Sequence, residues 1–222
     1  MMDPSTALQV KITSAVPQNT DVQQGPTTIK VNVSVYNSAD IPLTLLRWGT
    51  PLDPASGVLG VFEVRSLNNN GNDDGQVLQM DTIKLSRKLP PTVEDLVEIP
   101  AGGAVEAAVT LPPLQLHAGR EYSVVTRGRW QAVWEGRMSD VTPEKLETLA
   151  DAKAGGFVSD RAVVKINSMT KAFCENYLRD PQRSRLTKRF RLYPLEERLS
   201  KIDDPKILLI FIHPIIPLRR LY

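Results

Sequence analysis

The sequence predicts an all-β fold: an immunoglobulin-like antiparallel β-sandwich of seven to nine strands, with one short helix and a C-terminal extension. Three observations predict it. Ile29, Val31, Val33 and Val35 alternate with Lys30, Asn32, Ser34 and Tyr36, so one face of that segment is β-branched and the other polar, as in a sheet with one side on a core. Turn signals recur about every 8–15 residues between further short apolar runs, the spacing of a sandwich. No helical pattern of comparable length alternates with those runs, which argues against a βαβ protein.

The strands follow in order. Leu8, Val10 and Ile12 alternate with Gln9, Lys11 and Thr13, and polar Gln18–Pro26 separates them from the Ile29–Val35 series. Leu43–Trp48 is short and apolar, Val61–Val64 is bounded by Gly60 and an Asn/Gly/Asp cluster, and Val77–Leu85 is mixed. Val97–Ile99 ends at Pro100-Ala101-Gly102-Gly103, and Val105, Ala107, Val109 and Leu111 alternate until Pro112-Pro113 stops them. Tyr122, Val124, Thr126, Gly128 and Trp130 keep a period of two, and Ala162–Ile166 closes the regular part. Thr142–Lys153 alone reads as a helix: Thr142 suits an N-cap, Pro143 the first helical position, and Gly155-Gly156 the end.

The 222 residues suffice for one domain with an extension. Hydrophobic residues make up 41% and charged residues 23%, a balance that places the chain among globular proteins. Charge is uneven. Met1–Ser168 carries 15 basic and 19 acidic residues, a net −4, whereas Met169–Tyr222 carries 12 and 6, a net +6. The break divides a sandwich, residues 1–168, from a basic extension, residues 169–222, expected to be partly disordered or loosely docked. Cys174 is the single cysteine, so the core must hold the fold without an intramolecular disulfide. No apolar run reaches membrane-spanning length, and Met1–Thr6 has no signal-peptide character; a cytoplasmic location is the expectation.

One stretch is more specific than composition. Ile41-Pro42-Leu43-Thr44-Leu45-Leu46-Arg47-Trp48-Gly49-Thr50-Pro51-Leu52-Asp53 leads into Leu59–Val64, and Arg87-Lys88-Leu89-Pro90-Pro91-Thr92 and Ile99-Pro100-Ala101-Gly102-Gly103 follow. These segments, in this order, resemble the N-terminal, prodomain-like domain of the deuterolysin-type fungal zinc metalloproteases and its stand-alone relatives. The resemblance covers roughly Leu8–Trp134 and implies the same sandwich. It does not imply proteolysis, since the His-Glu-x-x-His helix of those proteases has no counterpart among this chain's two histidines, His117 and His213. In the proteases this domain assists folding and restrains activity, so the resemblance implies a protein partner, a peptidase.

Chemistry-bearing patterns are sparse. Two distant histidines and one cysteine are too few for a zinc site, so no metal and no cofactor is expected. Asn70-x-Asn72-x-Asp74-Gly75, followed by Asp81, has calcium-loop spacing but lacks the first Asp and the closing Glu, and reads better as a hairpin loop. There is no nucleophile elbow and no phosphate-binding glycine loop. Asn32-Val33-Ser34 matches the glycosylation sequon but lies inside the best strand. Tyr122, after Ala118-Gly119, fits a tyrosine corner whose phenol bonds back to the turn. Trp134 is the tryptophan expected to be partly exposed; with Arg127, Arg129 and Arg137 it forms the candidate binding surface. In the tail, Arg179, Arg183, Arg185, Lys188, Arg189 and Arg191 cluster without a nucleic-acid-binding fold beside them, so nucleic acid is not the expected partner.

The function expected is a non-catalytic binding or regulatory module acting by protein–protein contact through an open sheet edge or through the loops Gly49–Gly60 and Ser66–Gly75. The alternative is an enzyme or accessory protein of a fungal biosynthetic pathway with an unrecognised pocket.

Overall fold

A computed structural model describes residues 3–18, 25–68, 71 and 73–166. Among these residues two short α-helices and ten strands follow in chain order: α1 (Pro4–Ala7), β1 (Leu8–Pro17), β2 (Ile29–Asn37), β3 (Leu43–Leu46), β4 (Phe62–Leu67) and β5 (Asp73–Val77), then β6 (Leu96–Ile99), β7 (Ala104–Thr110), β8 (Glu121–Glu135), α2 (Pro143–Thr148), β9 (Lys153–Val158) and β10 (Ala162–Lys165). All pairings are antiparallel. One sheet has the order β1-β2-β7; the other has the order β5-β4-β8-β3-β6, with β9 and β10 also on β8.

The β-branched row of β2 drives the packing. Ile29, Val31, Val33 and Val35 are wholly buried against Leu43, Leu45, Val64, Val124 and Trp130 of the second sheet. Each such side chain contributes about 1.5–3 kcal/mol on leaving water. Asn37, at the end of the row, ties the sheets together: Nδ2 donates to the carbonyls of Ile41 (2.8 Å), Ile99 (3.2 Å) and Pro100 (3.2 Å), and Oδ1 accepts from the Ala39 N–H at 2.9 Å. The Tyr122 hydroxyl accepts from the His117 N–H at 2.8 Å, which is the expected corner. The sandwich is thus held by apolar burial and backbone-directed polar bonds, as an all-β chain without disulfides requires.

Strand β8 has two faces of different fate. Its register against β9 shifts between Trp130 and Val133, which marks a bulge. A bulge inserts one residue and reverses which face later side chains occupy. Trp130 therefore enters the main core, stacked at 4.4 Å on Phe157, while Trp134, of the same parity, enters a second core with Leu46, Trp48, Leu96, Val141 and Leu146. Trp134 is 2% exposed and its indole N–H donates to the Ala150 carbonyl at 2.8 Å. This corrects the expectation of a partly exposed Trp134.

The helix is also shorter than its sequence pattern. Thr142 accepts from the Lys145 N–H and Pro143 opens α2 as expected, but Leu149 turns left-handed at φ 52° and the helix stops at Thr148. Gly155-Gly156, read as a helix terminator, lies inside β9. A Cβ on Gly155 would stand 2.4 Å from Ser5 Oγ, so glycine is what lets α1 lie against β9. Asp3 holds α1, accepting from the Ser5 N–H at 2.9 Å and the Ser5 hydroxyl at 2.7 Å. After β5 the chain has no regular structure until Val93, so of the strand expected over Val77–Leu85 only Val77, the last residue of β5, is in a strand.

Candidate functional site

The turn Trp48–Gly60 is built by local hydrogen bonds. Asp53 carries it: its carboxylate accepts from the Gly49 N–H at 3.0 Å and the Ala55 N–H at 2.9 Å. The Thr50 hydroxyl donates to the Arg47 carbonyl at 2.7 Å and accepts from the Leu52 N–H at 3.2 Å. Asp53, with a side chain 1% exposed, is neutralised by Arg87, whose Nη2 lies 2.7 and 2.6 Å from its two oxygens. The same guanidinium stands 5.8 Å from the centre of the Trp48 ring. The Trp48 indole N–H donates to Asp95 at 2.8 Å. Burial pushes the Asp95 carboxyl up, but the bonds from the Thr92 backbone, Trp48 and the Thr92 hydroxyl, with the Arg47 charge, outweigh it and leave its pKa below the ordinary value. The tryptophan–glycine turn and the Arg87–Thr92 segment, distant in sequence, are therefore one clasp.

The other side of this turn faces an open strand. The Leu111 N–H donates to the Ile29 carbonyl and the Asn37 N–H to the Gly103 carbonyl, both at 2.9 Å. Antiparallel ladders alternate bonded and non-bonded pairs, so the odd residues of β7 bond to β2. The N–H and C=O groups of Ala104, Glu106, Ala108 and Thr110 point away from the sheet. Among the described residues no strand pairs with that edge. Thr110 is covered: a Cβ on Gly57 would stand 2.4 Å from its carbonyl oxygen. Between turn and edge lies a groove of about 190 Å3, lined by Pro51, Leu52, Pro54 and Val58 on one side and Ala107 and Val109 on the other. The open edge and the Gly49–Gly60 loop, separate candidates in the sequence, thus meet in one place.

A family model for an immunoglobulin-like domain matches residues 17–166. The chain belongs to this family. The immunoglobulin-like domain is also similar to an uncharacterised secreted protein of the fungus Arthroderma benhamiae, with 39% identity over 142 residues, covering 63% of this chain and 69% of the relative. The X-ray structure of Northeast Structural Genomics Consortium target SoR45 matches 75% of this chain and 92% of its own at 6% identity, with a TM-score of 0.35; a score of that size does not bear on topology. Neither the family nor the fungal relative carries a named activity. The secreted relative overturns the cytoplasmic expectation. That expectation leaned on the character of Met1–Thr6 and on the lack of a membrane-spanning apolar run, and neither feature decides a compartment.

The other candidate residues are dispersed. Arg127 and Arg129 are exposed on β8, and Arg127 lies 3.6 Å from Glu63, which also pairs with Arg65. Arg137 is exposed beyond the end of β8, where its N–H donates to Asp140 at 2.9 Å. Trp134 faces the second core and is not part of any surface with them. In the Ser66–Gly75 loop, β4 pairs with β5 as a hairpin, while residues 69, 70 and 72, two of them in the calcium-like spacing, lie outside the described residues. Among the described residues no His/Cys/Asp/Glu group could hold a metal, and no helix is long and apolar enough to cross a membrane. Asn32 of the sequon is half-buried and donates to Ser14 Oγ at 2.8 Å. Cys174 and the basic cluster of the tail lie outside the described residues.

Sequence reasoning missed Glu106, Ala108 and Gly57. The alternation of Val105, Ala107, Val109 and Leu111 reads as a strand with no mark of an edge, and Gly57 falls unremarked within the candidate loop Gly49–Gly60. Only the strand order shows that β7 is an edge.

Proposed function

We propose that this immunoglobulin-like domain is a non-catalytic binding module that takes an extended segment of a protein partner as an added strand on β7. The observation that carries this reading is the outward row of backbone groups at Glu106 and Ala108 beside the apolar groove. Such an edge supplies main-chain hydrogen bonds for affinity, and the groove supplies a place for alternate side chains. The resemblance of Ile41–Asp53 and Arg87–Thr92 to a deuterolysin-type prodomain supports a peptidase as partner. Regulation would then consist of holding a peptidase segment in strand conformation.

An enzyme reading finds less support. Among the described residues the carboxyls lowered below their ordinary values are Asp3 and Glu144, each bound by neighbours in its own turn, and Asp95, bound by Thr92 and Trp48; none lines the groove. Asp53 does line it but is neutralised by Arg87.

The test mixes the full chain with a fungal deuterolysin-type peptidase and follows complex mass and peptidase activity. A complex is expected, with activity restrained. Ala108→Pro deletes an outward N–H that makes no ladder bond, so it should weaken the complex at least about tenfold while costing under about 1 kcal/mol of stability. Absence of a complex removes the peptidase as partner, and a proline variant that binds like wild type removes β7 as the site.

A further inference from the structure

Edge docking alone does not say which side chains the added segment carries. We infer that Glu106 makes this edge selective: it disfavours a second copy of the chain and favours an extended segment with lysine or arginine at the position facing it. The inference rests on the edge-docking reading and adds the chemistry of the occupant.

Glu106 is exposed on the outer face of its sheet, directly opposite Ser34 of β2. Its diagonal neighbours on β2 are Asn32 and Tyr36, both uncharged. The row continues to Lys11 on β1, a further strand away. Among the described residues Glu106 makes no ion pair. Its charge is therefore available to whatever pairs with β7, and cross-strand neighbours of opposite charge stabilise a ladder while like charges oppose it.

The same position works against self-pairing. The free outward positions are Ala104, Glu106 and Ala108, since Gly57 covers Thr110. Two β7 strands that use all three must pair antiparallel with Ala104 opposite Ala108 and Glu106 opposite Glu106. Shifting by two residues separates the carboxylates but gives up one of the three positions. β7 has no lysine, proline or bulge to blunt its edge, so Glu106 is the charge that keeps it from its own kind. A foreign segment escapes the repulsion by placing a cation there. Its alternate residues face Leu52, Val58 and Val109, where a groove of about 190 Å3 admits short apolar side chains.

The test uses the full chain and blocked heptapeptides of alternating threonine and valine with lysine, glutamine or glutamate at the centre. Dissociation constants come from amide shifts, and mass in solution is measured in parallel. The lysine peptide is expected to bind about fivefold tighter than the glutamine peptide, with the glutamate peptide weaker again. Glu106→Lys should invert that order, and Glu106→Val should make the chain dimerise at high concentration. Equal affinity for all three peptides, each lost in Ala108→Pro, overturns charge selection and leaves edge docking standing. No binding by any peptide, with a monomeric Glu106→Val variant, overturns both.

Discussion

The three-stranded sheet has two edges, and they are finished in opposite ways. On the β1 side the ladder shifts register between Ile12 and Ser14, and the Ile12 N–H is taken by Asp160 Oδ1 at 2.9 Å. A bulge and a carboxylate close that edge to strangers. On the β7 side the register runs straight from Lys30↔Thr110 to Tyr36↔Ala104, and among the described residues no strand pairs with the outer edge of β7. The same sheet therefore has one blunted border and one that can be extended. The difference lies in what stands beside each strand: β10 and the Asp160 turn on one side, a glycine turn that reaches Thr110 on the other.

The sharpest way to break the comparison is a proline walk along β7. Ala107→Pro removes an inward N–H of the β2 ladder and should cost about 3 kcal/mol or more, whereas Ala108→Pro should cost under about 1 kcal/mol because its N–H faces outward. Urea denaturation of both variants reads this directly, and equal losses would show that the Ala108 N–H does not face outward.

Next in size is the clasp that holds the turn beside β7. Arg87→Met leaves the buried Asp53 carboxylate unpaired. Since Arg87 is 29% exposed, the full cost of a broken buried pair is reduced, and about 2 kcal/mol is expected. Amide exchange at Gly57 should speed up in the same variant, because the turn loses its anchor.

Asp160→Ala converts the closed edge toward the open one. It leaves the Ile12 N–H without its acceptor and should cost about 1–2 kcal/mol. In hydrogen exchange the Ile12 amide should approach the rate of Glu106 and Ala108, which are expected to exchange fast in the wild type. An unchanged Ile12 rate would mean that the bulge alone protects this edge.

The smallest effect is one of pH. The folded-state pKa of Asp95 lies below its ordinary value of 3.8, so its contribution to stability is complete above that value and is lost as pH falls through the folded pKa. Asp95→Asn should flatten the stability profile below pH 3.8 relative to wild type, as read by denaturation at a series of acid pH values. An equally steep acid limb would place the acid sensitivity elsewhere.

Parts of this molecule are legible in its residues alone. The β2 row is, because β-branched residues two apart declare a face without help from the rest of the chain. The Tyr122 corner and the α2 cap are, since each is a bond between residues three to five apart. Trp134 is not, because a bulge several residues upstream turns it over, and a bulge leaves no trace in residue type. β9 is not, because Gly155-Gly156 serves a close approach by Ser5 that no local pattern announces.

The sequence by itself determined that this chain is an antiparallel sandwich with an inward β-branched face and a tyrosine corner, because those features follow from neighbours within a few residues. Tertiary structure alone decided that among the described residues β7 is a border, that Arg87 reaches Asp53 across 34 positions of sequence, and that Glu106 is exposed on the outer face of its sheet. Whether a backbone N–H points at a partner or away depends on which strand lies alongside, and strand order is a property of the assembled sheet.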